Sequence, residues 1–135
     1  MRDSGRGPDV AALFADDGIP NVNGRQFVGP DAIVDFGRQS AAAMSAIEGL
    51  LPGKHHVSSR MTDQVSDDIA RSQSVFLFVG TTVPGHLGTY RDRLVRSGAG
   101  WRFAGGRVRI TGFAEGSGAR SYVDSLVSVA PDIGQ

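Results

Sequence analysis

Two adjacent histidines, His55 and His56, stand in the stretch PGKHHVSSRM, where a Pro-Gly turn hands over to an extended segment. An imidazole in water titrates near pH ~6.5, so modest changes in its surroundings set its charge and suit it to general acid/base work. Side chains alternate between the faces of a strand, so one histidine is expected to point inward and the other outward. The row His55, Val57, Ser59, Met61 is more apolar than the row His56, Ser58, Arg60, Thr62. The first row is therefore expected to face the interior, with His55 as the candidate proton carrier and Ser59 beside it. A slip of one residue in register would exchange the two histidines.

Further candidates come from the segments that follow. In HLGTYRDRLVR the even row reads His86, Gly88, Tyr90, Asp92, Leu94, with steps of about 7 Å between neighbours. Tyr90 is placed to donate a hydrogen bond to a carbonyl or a developing enolate. Asp92 is placed to orient His55 or to act as a base, the alternative being an ion pair with an arginine such as Arg107. His86, near the strand end, is expected to be exposed, and it is also a candidate ligand contact. In IARSQSVFLFV the row Ala70, Ser72, Ser74, Phe76, Phe78 passes from small to aromatic, a pattern that shapes a tapered cavity or fills a core. The opposite row mixes polar and apolar groups, as a partner-facing sheet surface does. Trp101 and Phe103 are expected to face inward, as pocket floor or as packing.

Other chemistries are excluded or unsupported. The chain has no cysteine, which removes thiolate nucleophiles, disulfides and cysteine metal sites. Adjacent histidines on a strand diverge and no spaced ligand motif is present, so no metal is expected. No helix follows the glycines at 98, 100, 105 and 106, so they make no phosphate loop. No serine sits in a nucleophile elbow.

The elements that must carry these residues follow from periodicity. Residues 9–18 show Val10, Leu13 and Phe14 at helical spacing, with Asp9 as cap and Gly18 as stop, which predicts a short helix. Asn23-Gly24 marks a tight turn. Residues 29–49 are the clearest helix, opened by Pro30 and Asp31, with Ile33, Phe36, Ala43, Met44 and Ile47 on its apolar stripe. Phe36 on that stripe is a candidate ligand contact. From about 55 to 113 the period is two, giving strands at 55–65, 69–83, 86–96 and 101–113 joined by short turns: an antiparallel meander. The pair Gly105-Gly106 predicts a bulge or bend. Helices followed by a curved antiparallel sheet give an α+β fold, a cone-like barrel with the helices packed in the concave face.

With 135 residues the chain is the size of one domain. Lys+Arg and Asp+Glu are 14 each, which argues against nucleic acid or an anionic membrane as partner. No apolar run is long enough to span a bilayer, and the start of the chain has no signal-peptide pattern. A cytoplasmic location is the expectation. Residues 1–8 are expected to be a disordered leader, 9–113 the domain, and 114–135 a Gly/Ser-rich linker followed by a tail or short helix.

The pieces ALFADDG (12–18), FVGPDAIVDF (27–36), HHVSS (55–59), ARSQSVF (70–76), GTYRDRLVR (88–96) and GWRFAGGRV (100–108), in this order, resemble the SnoaL-like branch of the nuclear transport factor 2-like superfamily. The resemblance implies a cone-like α+β barrel with a ligand pocket and no cofactor, often a homodimer through the outer sheet face. It implies a pocket histidine at His55. Relatives often carry Asn where Ser59 stands, and a leading helix with a pocket-facing Tyr and Asp that this chain starts too late to include. The expected function is binding of a small apolar or aromatic, oxygen-bearing metabolite, with cofactor-free dehydratase, isomerase or cyclase chemistry through His55, Tyr90 and Asp92. The alternative is a non-catalytic binding or assembly module, such as a protein resembling the small subunit of ring-hydroxylating dioxygenases.

Overall fold

Pro30 and Asp31 open the longest helix, α2 (Pro30–Ser45), as their φ preference and charge favour. The computed structural model describes residues 7–81, 84–98 and 100–128. Before α2 come α1 (Gly7–Ala11), β1 (Phe14–Val22) and β2 (Arg25–Gln26). After it come β3 (Lys54–Gln64), β4 (Ile69–Val79), β5 (Pro84–Ser97), β6 (Gly100–Phe113) and α3 (Ala119–Ser128). One six-stranded sheet runs in the order β2-β1-β6-β5-β4-β3. The meander β3 to β6 is antiparallel throughout, and β1 joins β6 in parallel. This is the expected α+β cone. No helix among the described residues is long and apolar enough to cross a membrane.

The helix expected over 9–18 is a correction. Helical structure stops at Ala11, and Phe14 begins β1. The backbone N–H of Phe103 donates to Leu13 at 2.9 Å, and the Phe14 and Phe103 rings lie 5.4 Å apart. Pairing with a strand some ninety residues away outweighs a local helical pattern. The Asn23-Gly24 turn forms as expected, both residues at positive φ (48° and 93°). Asn23 Oδ1 also accepts from the Ile110 N–H at 2.9 Å and ties the hairpin to β6.

The inner face of the sheet carries the core. Met44, Leu50, Phe78, Ala119 and Tyr122 are buried together, with Phe36, Ile47 and Ile110 packed against them. α3 occupies the segment expected as linker and tail or short helix. The Ser117 hydroxyl accepts from the Ala119 N–H at 3.2 Å, and Ala119 is fully buried. Residues 1–6 of the expected leader, 82–83 of the expected second strand and 129–135 of the expected tail lie outside the described residues.

Two bulges set which side chains face inward. On β3, Ser58 pairs with Val75 but Met61 with Gln73, so two residues oppose one, and Ser59 takes φ 51°. Before the bulge His55 and Val57 share a face with Phe78 and Phe76; after it Thr62 and Gln64 share that face with Ser72 and Ala70. Met61 therefore moves to the outer face, 59% exposed, and not to the interior as the plain alternation predicts. Ser59 is exposed at the bulge itself. On β6, Gly105 pairs with Arg93 and Phe103 with Leu94, which leaves Ala104 as the extra residue, next to the expected glycine pair.

Gly88 on β5 is required by close approach. A Cβ there would stand 2.2 Å from the Arg109 carbonyl oxygen and 2.8 Å from the Phe76 ring. Gly88→Ala is expected to cost about 1–3 kcal/mol through forced displacement of β6 or of Phe76. A urea midpoint equal to that of the parent would contradict this packing.

Candidate functional site

His55 enters this core from the edge strand β3. Its register partner is Phe78, and its ring is half-buried on the concave side. The ring centroid lies 4.9 Å from Phe78 and 5.2 Å from Phe76, both approached edge-on. Two further rings complete the surroundings, His86 at 6.1 Å and Tyr90 at 6.5 Å. Period-two alternation on β4 delivers Phe76 and Phe78, and on β5 it delivers His86 and Tyr90. Phe76 stacks on Tyr90 at 4.6 Å, and Phe78 lies nearly parallel to His86 at 4.9 Å. His56, one residue on, is exposed.

His86 departs from expectation. It is 2% exposed, not solvent-facing, because the Phe78 ring covers one side and Tyr122 of α3 approaches at 5.4 Å. Burial, and secondarily the neighbouring His55, lowers its pKa to about 4. The ring is neutral at pH 7. Its Nδ1 is buried and finds no hydrogen-bond partner among the described residues. Such an atom favours a polar ligand atom or a water placed against it.

Tyr122 was not singled out from the sequence. Its hydroxyl shares a 2.5 Å hydrogen bond with Ser40 of α2. Burial raises its pKa, with the Ser40 contact opposing the rise. The available signal was the one aromatic residue in the possible closing helix, an element whose packing partner the sequence does not name.

The remaining candidates divide into near and distant groups. Ser74 is buried opposite Tyr90, and Asp92 is half-buried opposite Ser72 and Gly106. A Cβ at Gly106 would stand 2.6 Å from Asp92 Oδ1, so that glycine makes room for the carboxylate. Phe36 packs on Phe27, with centroids 4.3 Å apart, at the border of the core. Phe103 rests on Phe14. Trp101 lies on the same inward row as Phe103, as expected, but it is 38% exposed and carries Arg96 over its ring at 5.4 Å, so it is not part of the buried core. It pairs with Arg96, six residues past Tyr90, which puts it roughly 20 Å along the sheet from the His55 group.

The arrangement offers a half-exposed imidazole over an aromatic wall, a phenol and a neutral buried imidazole nearby, and a carboxylate one step further along. It suits a flat, apolar molecule with a polar group.

Comparison with known proteins agrees with this architecture. No curated protein sequence matches the chain. Among solved structures, a protein of unknown function from Mycobacterium tuberculosis superposes with a TM-score of 0.75 at 20% identity, over 96% of this chain and 79% of that one. A putative scytalone dehydratase from Novosphingobium aromaticivorans gives 0.68 at 24% identity, over 84% and 76%. A hexachlorocyclohexane dehydrochlorinase of the LinA type from Novosphingobium barchaimii gives 0.69 at 18% identity, over 84% and 78%. A nuclear transport factor 2-like protein with a cystatin-like fold from Novosphingobium aromaticivorans superposes similarly, with a TM-score of 0.69 at 20% identity over 90% of this chain and 79% of that one, and the shared feature is that fold. The family model of the SnoaL-like domain matches residues 1–107, and the chain therefore belongs to the SnoaL-like family.

Proposed function

We propose that this protein binds a small apolar or aromatic, oxygen-bearing metabolite against the His55 group and performs cofactor-free elimination on it. The observation that carries this reading is the His55 ring set edge-on to Phe76 and Phe78, with Tyr90 within reach of the same ligand. Two structural relatives are described as a dehydratase and a dehydrochlorinase, reactions that each remove a proton and a leaving group from neighbouring carbons. In the proposed step, the His55 imidazole takes the carbon-bound proton. The electron pair forms the new double bond as the leaving group departs. Tyr90 donates a hydrogen bond to the oxygen on which charge gathers, and Asp92 orients His55. Isomerisation or aldol-type cyclisation would use the same proton movement.

A homodimer through the outer sheet face accompanies this proposal. Val75, Leu77 and Leu87 are exposed there at one end of β4 and β5, and dimerisation over that end would cover them and leave the end at Arg71 and Arg93 open.

The test uses a hydroxylated aromatic probe, 1-naphthol, followed by its fluorescence. His55→Ala is expected to weaken binding about tenfold, the loss of one polar and several apolar contacts. Unchanged binding in that variant would remove His55 from the site.

A further inference from the structure

The outer face of the sheet, opposite the His55 group, carries rows of arginines. Arg71 on β4 is directly opposite Arg93 on β5, and Arg91 on β5 is directly opposite Arg107 on β6. All four are exposed. Like charges directly across a ladder destabilise the pair, and here two such pairs lie on successive rungs. The described ion pairs, Arg38–Asp35, Arg96–Asp68 and Arg120–Asp124, involve none of them. The whole chain is formally neutral, so this is a local concentration of charge and not a basic protein.

The same rows border an open depression of about 520 Å³, lined among others by Arg71, Arg91, Arg93, Gln73 and Met61. That volume lies within the range of small-molecule sites. The β3 bulge shapes it, because the bulge turns Met61 outward against Gln73. Arg71 and Arg93 face each other across roughly 5 Å at their Cβ atoms, and Arg91 stands about 7 Å from Arg93 along the strand. Planar guanidinium groups so spaced match two anionic groups a few ångströms apart. Two carboxylate residues also line it, Asp63, which pairs in register with Arg71, and Asp92, which stands between Arg91 and Arg93 on β5.

We propose that this depression binds a small molecule bearing two linked phosphate groups, held by Arg71, Arg91 and Arg93. The short extent of the patch and the neutral chain favour a compact ligand over a nucleic acid. The bound anion relieves the repulsion between the facing arginines. The arginine side chains lie on the opposite face of the sheet from His55, so Arg71→Gln and Arg91→Gln test this site without altering a residue of the elimination reading.

Inorganic pyrophosphate is the probe, titrated calorimetrically at low salt against sodium chloride of matched ionic strength. Saturable binding at one pyrophosphate per chain is expected. Arg71→Gln and, independently, Arg91→Gln are each expected to weaken it about tenfold. Arg38→Gln, on α2, is expected to leave it unchanged. Both outer-face variants reduce repulsion and should melt no lower than the parent, which a thermal scan checks. No heat beyond that of the chloride control would overturn the site, as would equal weakening by Arg38→Gln. Citrate binding as tightly as pyrophosphate would overturn the phosphate assignment.

Discussion

Phe78→Ala is expected to lower folding stability by about 3–5 kcal/mol, read as a large drop in the urea midpoint. The ring is 2% exposed and sits where the two halves of the protein meet. On one side it belongs to the core formed with Met44, Leu50, Ala119 and Tyr122. On the other it supports His55 and His86, each at 4.9 Å. The surrounding backbone is shaped to it: a Cβ at Gly53 would lie 2.3 Å from the ring, and one at Gly85 3.1 Å. Glycines cannot fill the vacated volume, so the hole would persist and the full cavity cost would be felt. Phe78→Leu retains most of the volume and is expected to cost less. A loss below about 1.5 kcal/mol for Phe78→Ala would show that this core collapses freely, contrary to the packing described.

The second large effect is a pH dependence of stability that originates at His86. Its folded pKa, about 4, lies below the ordinary value of 6.5, chiefly through burial and further through His55. The unfolded chain therefore binds more protons than the folded one between these values. Stability from this residue is fully present above pH 6.5, falls as pH drops from there, and is exhausted near pH 4. Between pH 7.5 and pH 5 the loss should be about 2 kcal/mol. The groups packed around the ring are Phe76 and Phe78 from β4, His55 from β3 and Tyr122 from α3. His86→Phe keeps a ring over Phe78 and cannot titrate. Comparing urea midpoints of parent and variant at the two pH values isolates the effect. Parallel behaviour of the two proteins would show that His86 is charged or solvated in the folded state.

Much of the architecture follows from short-range pattern. Unbroken period two from His55 to Phe113 specified β3 to β6, and Pro30-Asp31 specified α2, because these signals lie within a few residues of the structure they produce. The same pattern placed the aromatic row Phe76 and Phe78 beside His55, since side-chain parity and hydrogen-bonded register follow from one another. Other features depend on distant partners. Phe14 reads as helical until β6 is present to pair with the chain beside it. Trp101 reads as buried until its place opposite Arg96, near the end of β5, leaves it 38% exposed. His86 reads as exposed until Phe78 and Tyr122 enclose it.

Ser59 marks the boundary between the two kinds of information. No glycine announces its positive φ, so the alternation appears continuous through Met61, while the paired strands insert a bulge and reverse the face. By itself, then, the sequence determined the strands, the main helix and the chemistry on offer, because periodicity and turn residues act locally. Tertiary structure alone decided which faces met, how deeply His86 sank and that α3 brings Tyr122 to it, because burial and strand register depend on segments far apart in the chain.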